Sequence, residues 1–312
     1  MSPEFPGDWL VDGFRHGELV LQRVKRRLHT AETEYQKAEL VSTVTYGDAL
    51  VLDGAIQLAQ KDERIYHEVL VHPLLLSLER PARVAILGGG DGAALREVLR
   101  HTTVEKVAMV DIDRQVVDFC RQHLPEFNAG AFDDPRTELV FDDARKWVES
   151  QRRESWDAVI SDLTEPLEGG PSAMLFTREF YESIRTMLAP GGALVVQAGA
   201  ANPIDHRLLV GIHATVGSVF DQCRVLISYV PSFADQWGFV AGFTGGSTLV
   251  EPERVDHLIA QRVNGKMFHY DGTTHLHASS LPLYLRRAID AGAEPYTDAS
   301  PPRLATWIGA DE

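Results

Sequence analysis

Between positions 41 and 60 the apolar residues come in short runs broken by turn residues: Val41-Ser42-Thr43-Val44, Tyr46-Gly47-Asp48, then Ala49-Leu50-Val51-Leu52 before Asp53-Gly54. An Asp-Gly pair between apolar runs signals a hairpin, because both turn positions take positive φ. This predicts a small antiparallel N-terminal β layer. From Glu63 to Leu78 the spacing becomes helical, with Ile65, Val69 and Leu74 following it, and Pro73 should bend or restart the helix. Beyond Pro81, strand-like runs at 84–87, 107–110, 139–141, 158–160, 194–196 and 225–230 alternate with helical stretches near 94–100, 115–123, 144–151, 178–187 and 205–219. That alternation predicts an α/β fold with a doubly wound, mostly parallel sheet and a ligand beyond the C-terminal strand ends. Pro190-Gly191-Gly192 and Thr244-Gly245-Gly246-Ser247 read as turns.

The chain carries 45 acidic against 30 basic side chains, a formal charge of −15. A nucleic-acid partner would need a basic face, and no Lys/Arg cluster outweighs its acidic neighbours, so none is expected. Net negative charge permits a cationic ligand without indicating one. No window approaches the roughly 18 apolar residues of a membrane helix, and Glu4 and Asp8 do not fit a signal pattern. We expect no membrane and a cytoplasmic location. Cys120 and Cys223 lie in apolar segments and read as core. His67 and His72 resemble HExxH only superficially, the second histidine falling one residue late, while His269, His275 and His277 lack an acid or cysteine framework. No metal site is expected.

Gly88-Gly89-Gly90-Asp91-Gly92-Ala93 follows the first parallel strand and opens a helix. Its GxGxxA spacing, with Asp111 about twenty residues on, also fits a dinucleotide dehydrogenase. Asp91 opposes that reading, since pyrophosphate needs unopposed backbone N–H groups. The same carboxylate would repel the methionine carboxylate of intact AdoMet in a methyltransferase, but it would attract a lone ammonium. Asp91 thus favours decarboxylated S-adenosylmethionine. Asp111 should take the ribose hydroxyls. Asp143 is either an acceptor for the adenine amino group or the N-cap before Ala144. Asp162-Leu163-Thr164-Glu165-Pro166 closes a strand at the ligand edge, and Leu167-Glu168-Gly169-Gly170-Pro171 has no regular pattern and reads as a lid. Asp162, Glu165 and Glu168 suit the ammonium groups of a polyamine, whether in an enzyme or in a non-catalytic polyamine-binding module.

The hairpin from Tyr46-Gly47 to Gln57-Leu58, the segment 62–68, the 88–92 glycine loop, Val110-Asp111-Ile112-Asp113 and Asp162–Pro166 together resemble the spermidine synthase superfamily from about residue 30 to near residue 300. Within it the chain is similar to the thermospermine synthases, above all at Tyr229–Gly238 and also at 101–107, 116–120, 166–171, 196–199 and 262–265. It departs from them in Leu163-Thr164-Glu165, where Leu-Ala-Asp is usual, and in Ala200-Ala201, where Pro-Ala is expected.

The resemblance implies a Rossmann-like AdoMet-transferase fold with a mostly parallel seven-stranded sheet over 71–312 and an N-terminal β-hairpin domain over 1–70. It implies a donor site of Gln36, His67, Gly88, Gly90, Asp91, Asp111, Ile112, Asp143, Ala144 and Asp162. Tyr66, Asp162, Glu165, Glu168, Gln197, Phe233 and Trp237 would serve the acceptor, with Phe233 and Trp237 in a Pro-containing loop. Asp162 would be the principal base and Tyr66 would orient the amine. Decarboxylated S-adenosylmethionine is the implied co-substrate, with no tightly bound cofactor. Spermidine is the favoured acceptor, and a homodimer or homotetramer is implied.

Overall fold

The computed structural model describes residues 6–15, 18–167, 170 and 172–304. The N-terminal sheet is an antiparallel meander of β1 (Asp8–Arg15), β2 (Glu18–Glu32), β3 (Lys37–Thr43), β4 (Asp48–Leu52) and β5 (Ala55–Ala59), paired in chain order. Its expected hairpin turn is present, with Asp53 at φ 47° and Gly54 at φ 90°. Alternation along the strands gives the sheet two apolar faces. Leu40, Leu50 and Leu58 pack on Val116, Phe119 and Phe127, while Val41, Val51 and Ile56 pack with Leu10 and Val24.

Helix α1 (Glu63–Ser77) runs unbroken through Pro73. The expected restart does not occur, because residues 66–76 are all buried and tertiary packing outweighs the lost hydrogen bond. The division expected at residue 70 falls inside this helix; we propose the boundary between Ala59 and Glu63 instead.

The second sheet contains β6 (Arg83–Gly88), β7 (Lys106–Asp111), β8 (Thr137–Phe141), β9 (Trp156–Asp162), β10 (Leu188–Ala200), β11 (Gln222–Val230) and β12 (Asp235–Phe243), in the order β11-β12-β10-β9-β6-β7-β8. Only β12 runs against its neighbours. The remaining helices are α2 (Ala93–Leu99), α3 (Arg114–His123), α4 (Pro125–Asn128), α5 (Ala144–Ser150), α6 (Arg178–Met187), α7 (Arg207–Gly217), α8 (Pro252–Arg262), α9 (Gly272–Ser279) and α10 (Leu283–Ala291). One face of the sheet is covered by α1, α2, α8 and α9, and the other by α5, α6, α7 and α10. None of the described helices is long and apolar enough to cross a membrane.

Two sequence expectations are corrected. Pro190–Gly192 lies within β10, where the register to β9 shifts between Leu188 and Ala193. The segment from Asp235 is strand β12, obscured in the sequence by glycines. At Gly238 a Cβ would stand 2.0 Å from Leu209 Cδ1, so glycine there lets α7 close onto the sheet.

Candidate active site

The C-terminal ends of β6, β7, β9 and β10 deliver most of the site. Gly88 ends β6 at φ +80°, and a Cβ there would stand 2.3 Å from the carbonyl oxygen of Asp162, which the Gly89 N–H reaches at 3.0 Å. Only glycine allows that close approach of β6 to its parallel neighbour β9. Asp91 Oδ1 accepts the Ala93 N–H at 2.7 Å, so an amide at the helix start already holds the chain's own carboxylate. Asp111, at the end of β7, accepts the Asp113 N–H at 2.8 Å. Burial pushes its pKa up to about 7 against that hydrogen bond.

Beside it, Asp113 caps α3 by accepting from Gln115 and Val116 N–H, and its other oxygen takes the Thr33 hydroxyl at 2.6 Å and Gln36 Nε2 at 3.2 Å. Gln36 therefore meets the β7 end through Asp113, with Ile112 in the loop between the two acids. Asp143 is exposed and accepts the Lys146 N–H at 2.9 Å, so the N-cap reading holds; Ala144 is the buried first residue of α5.

Helix α1 contributes Tyr66 and His67 side by side. His67 Nδ1 lies 2.9 Å from both the carbonyl oxygen and Oε2 of Glu63, and Nε2 lies 3.9 Å from Asp91 Oδ1. Burial works against the imidazolium, but Glu63 and Asp91 together raise its pKa to about 9. Glu63 is itself paired with Arg96, both oxygens at 3.0 Å. Tyr66 donates its hydroxyl to Asp162 Oδ1 at 2.7 Å. Burial, and then the Asp162 charge, raise this phenol well above its ordinary range. Asp162 is pushed up to about 6 by burial, with His67 pulling down and Asp91 pushing up. Sequence reading missed Glu63, Arg96 and Asp113. The i,i+4 spacing of Glu63 and His67 was the one local signal available.

On the other side of Tyr66 stands an aromatic wall. Its ring meets Phe233 edge-on at 5.9 Å and Phe239 at 5.1 Å, and Phe233 meets Trp237 at 5.0 Å. Phe233 sits in the 3-10 turn Pro231–Phe233, but Trp237 lies on β12 and not in a loop. The Trp237 indole N–H donates to Gln197 Oε1 at 3.2 Å, and Gln197 Nε2 donates to the Leu163 carbonyl at 2.6 Å. Glu165 follows β9, and its carbonyl accepts the Ser172 hydroxyl at 3.0 Å. Glu168, the remaining acid expected at the acceptor, lies outside the described residues. Ligand atoms of His67, Asp91 and Asp162 all fall within 4.8 Å of one another; the two carboxylates suit a positive charge such as an ammonium, whereas His67 would have to give up its proton to ligate a metal ion.

Acids at the C-terminal strand ends, a close glycine contact and an aromatic wall on a Rossmann-like sheet mark a small-molecule site of the class that binds nucleotide cofactors or co-substrates. Residues 63–250 match the spermine/spermidine synthase domain, and residues 12–60 match the spermidine synthase tetramerisation domain. The chain belongs to the spermine/spermidine synthase family and is an enzyme of its polyamine aminopropyltransferase class. It is 42% identical over 306 residues to polyamine aminopropyltransferase 2 of Hyperthermus butylicus, covering 96% of this chain and 98% of that one. It is 41% identical over 273 residues to thermospermine synthase ACAULIS5 of Arabidopsis thaliana, covering 87% and 80%. A spermidine synthase crystallised with the transition-state analogue AdoDATO superposes with a TM-score of 0.83 at 25% identity, over 92% of this chain and 96% of that one. The spermidine synthase of Thermotoga maritima gives 0.82, also at 25% identity and with the same coverage.

Proposed function

We propose that the chain transfers the aminopropyl group of decarboxylated S-adenosylmethionine to the aminopropyl end of spermidine, giving thermospermine and 5′-methylthioadenosine. The observation that carries this reading is the Tyr66–Asp162 pair, standing between Asp91 and the wall of Phe233 and Trp237. Likeness to a named thermospermine synthase supports the choice of product.

Gly88 and Gly90 give the donor close backbone approach, Asp111 takes its ribose, and Gln36 and Ile112 flank that sugar. Asp143 and Ala144 border the adenine, while His67, Asp91 and Asp162 face the aminopropyl ammonium. The donor carbon is already activated by its sulfonium. As the amine lone pair forms the new N–C bond, the C–S bond breaks and its electron pair leaves on sulfur, giving a neutral thioether. The chain's task is to hold an uncharged amine in line at about 3–3.5 Å. A primary ammonium has a pKa of about 10, so deprotonation is the obstacle. Asp162 accepts the proton, and the Tyr66 oxygen retains acceptor capacity that orients the amine N–H. Glu165 and Glu168 hold the distal ammonium groups, and Gln197, Phe233 and Trp237 line the methylenes.

We further propose a homodimer or homotetramer working in the cytoplasm, with no metal in the reaction. Putrescine, agmatine, norspermidine and spermidine offered in competition, with tetraamine isomers separated by chromatography and mass fragmentation, test the reading. Thermospermine is the expected product, at a rate unchanged by EDTA. Spermidine made from putrescine would make this a spermidine synthase, and spermine would reverse the acceptor in the site. Methyl transfer from intact AdoMet, nicotinamide turnover, or polyamine binding without turnover would each overturn aminopropyl transfer.

A further inference from the structure

The turn that carries Phe233 is held from three directions by side chains outside it. Gln22, on β2, donates to the Ser232 carbonyl at 2.7 Å. Tyr46, in the turn between β3 and β4, donates its hydroxyl to the Pro231 carbonyl at 2.9 Å. Asp62, just before α1, accepts the Ser232 N–H at 2.6 Å. Asp62 stands at the N-cap position of α1, where an aspartate ordinarily accepts a helix amide, yet it makes no side-chain cap and spends that oxygen on a residue 170 positions away. The turn closes through Ala234 at φ +54°, a conformation that alanine disfavours.

The arrangement is poorly made for stability alone. Gln22, Asp62 and Ser232 are all more than nine-tenths buried, and among the described residues Gln22 Oε1 and Asp62 Oδ1 have no hydrogen-bond partner. Buried polar groups left partly unsatisfied cost stability, and an apolar contact would serve packing better. What the three contacts do fix is the backbone of Pro231 and Ser232, and with it the position of Phe233 against Tyr66 and Trp237.

We infer that Gln22, Tyr46 and Asp62 are positioning residues for the acceptor, so that the N-terminal sheet completes the polyamine site without touching the polyamine. This rests on the acceptor reading proposed above. The test compares steady-state kinetics of Gln22→Leu, Tyr46→Phe and the double variant in the full-length protein, varying donor and acceptor separately and recording thermal melts. The expected result is an acceptor KM raised at least threefold in each single variant and about tenfold in the double, with the donor KM within twofold. Tyr46→Phe removes a single hydroxyl from a half-buried ring and keeps the test open if Gln22→Leu does not fold. Asp62→Asn, which keeps an acceptor oxygen for the Ser232 N–H, should stay closer to the parent than Asp62→Ala. An acceptor KM within twofold of the parent in every folded variant overturns the inference. So does a donor KM that rises as far as the acceptor's. A parent protein that releases no methylthioadenosine with any polyamine would instead refute the function proposed above.

Discussion

Asp162 and Asp91 lie close together but carry different loads. Burial leaves Asp162 with a pKa near 6, ionised enough at neutral pH to take a proton and basic enough to want one. Since the base must be ionised, kcat/KM should rise with pH through an acid limb centred near 6, and a limb near 4 would remove Asp162 from that role. Asp162→Asn should lower kcat by about 10²–10⁴-fold while changing donor affinity little. Asp91→Asn should do the reverse, weakening donor binding by about 2 kcal/mol in calorimetry while acceptor binding holds. Equal losses for both ligands would make Asp91 a structural residue. These acids were legible in the sequence because each follows a recognisable strand. The pairs behind them were not: Glu63–Arg96 and Gln36–Asp113 join elements whose adjacency only the fold supplies.

Helices α1 and α2 are joined by a buried charged network in which Glu63 pairs with His67 and Arg96, Arg96 with Glu97, and Glu97 with His72. Burial opposes ionisation of Glu97, but His72, Arg96 and Arg100 outweigh it and hold its carboxyl below the usual range. Its contribution is therefore present above its ordinary pKa of 4.5 and lost as pH falls. Removing one partner of such a network strands the others, so Glu97→Gln should cost about 3–5 kcal/mol in denaturant unfolding.

His67 has the opposite sign. Its folded pKa of about 9 exceeds its ordinary 6.5, so its stabilisation is complete below pH 6.5 and disappears as pH rises to 9. The melting temperature should decline across that window in the parent and decline less in His67→Gln. The parallel strands β6, β7 and β9 could be read from the sequence because they are buried on both faces and rich in branched apolar residues. Strand β2, with its run of Lys25-Arg26-Arg27, and glycine-broken β12 carry no such pattern, and only pairing to their neighbours makes them strands.

At the scale of the whole molecule, the N-terminal sheet would serve both the proposed oligomer and the proposed site. It matches a tetramerisation domain, and its β2–β3 turn meets Asp113 at the end of β7, on the proposed donor side, through Gln36 and Thr33. Sedimentation should find a dimer or tetramer at micromolar concentration, and a monomer would remove the assembly proposed above. The reversal of β12 has a separate consequence. Along the chain, every proposed donor residue precedes position 163, whereas the proposed acceptor residues apart from Tyr66 and Asp162 follow it, at Glu165, Glu168, Gln197, Phe233 and Trp237. Trp237 pairs with Ala200, close to Gln197, only because β12 runs back along β10. On the proposed reading, nucleotide recognition and most of the acceptor wall thus occupy successive stretches of one gene, and a crossover near codon 163 would exchange much of that wall while inheriting the donor site intact, provided the incoming wall still fits Tyr66, Asp162 and the contacts of Gln22, Tyr46 and Asp62.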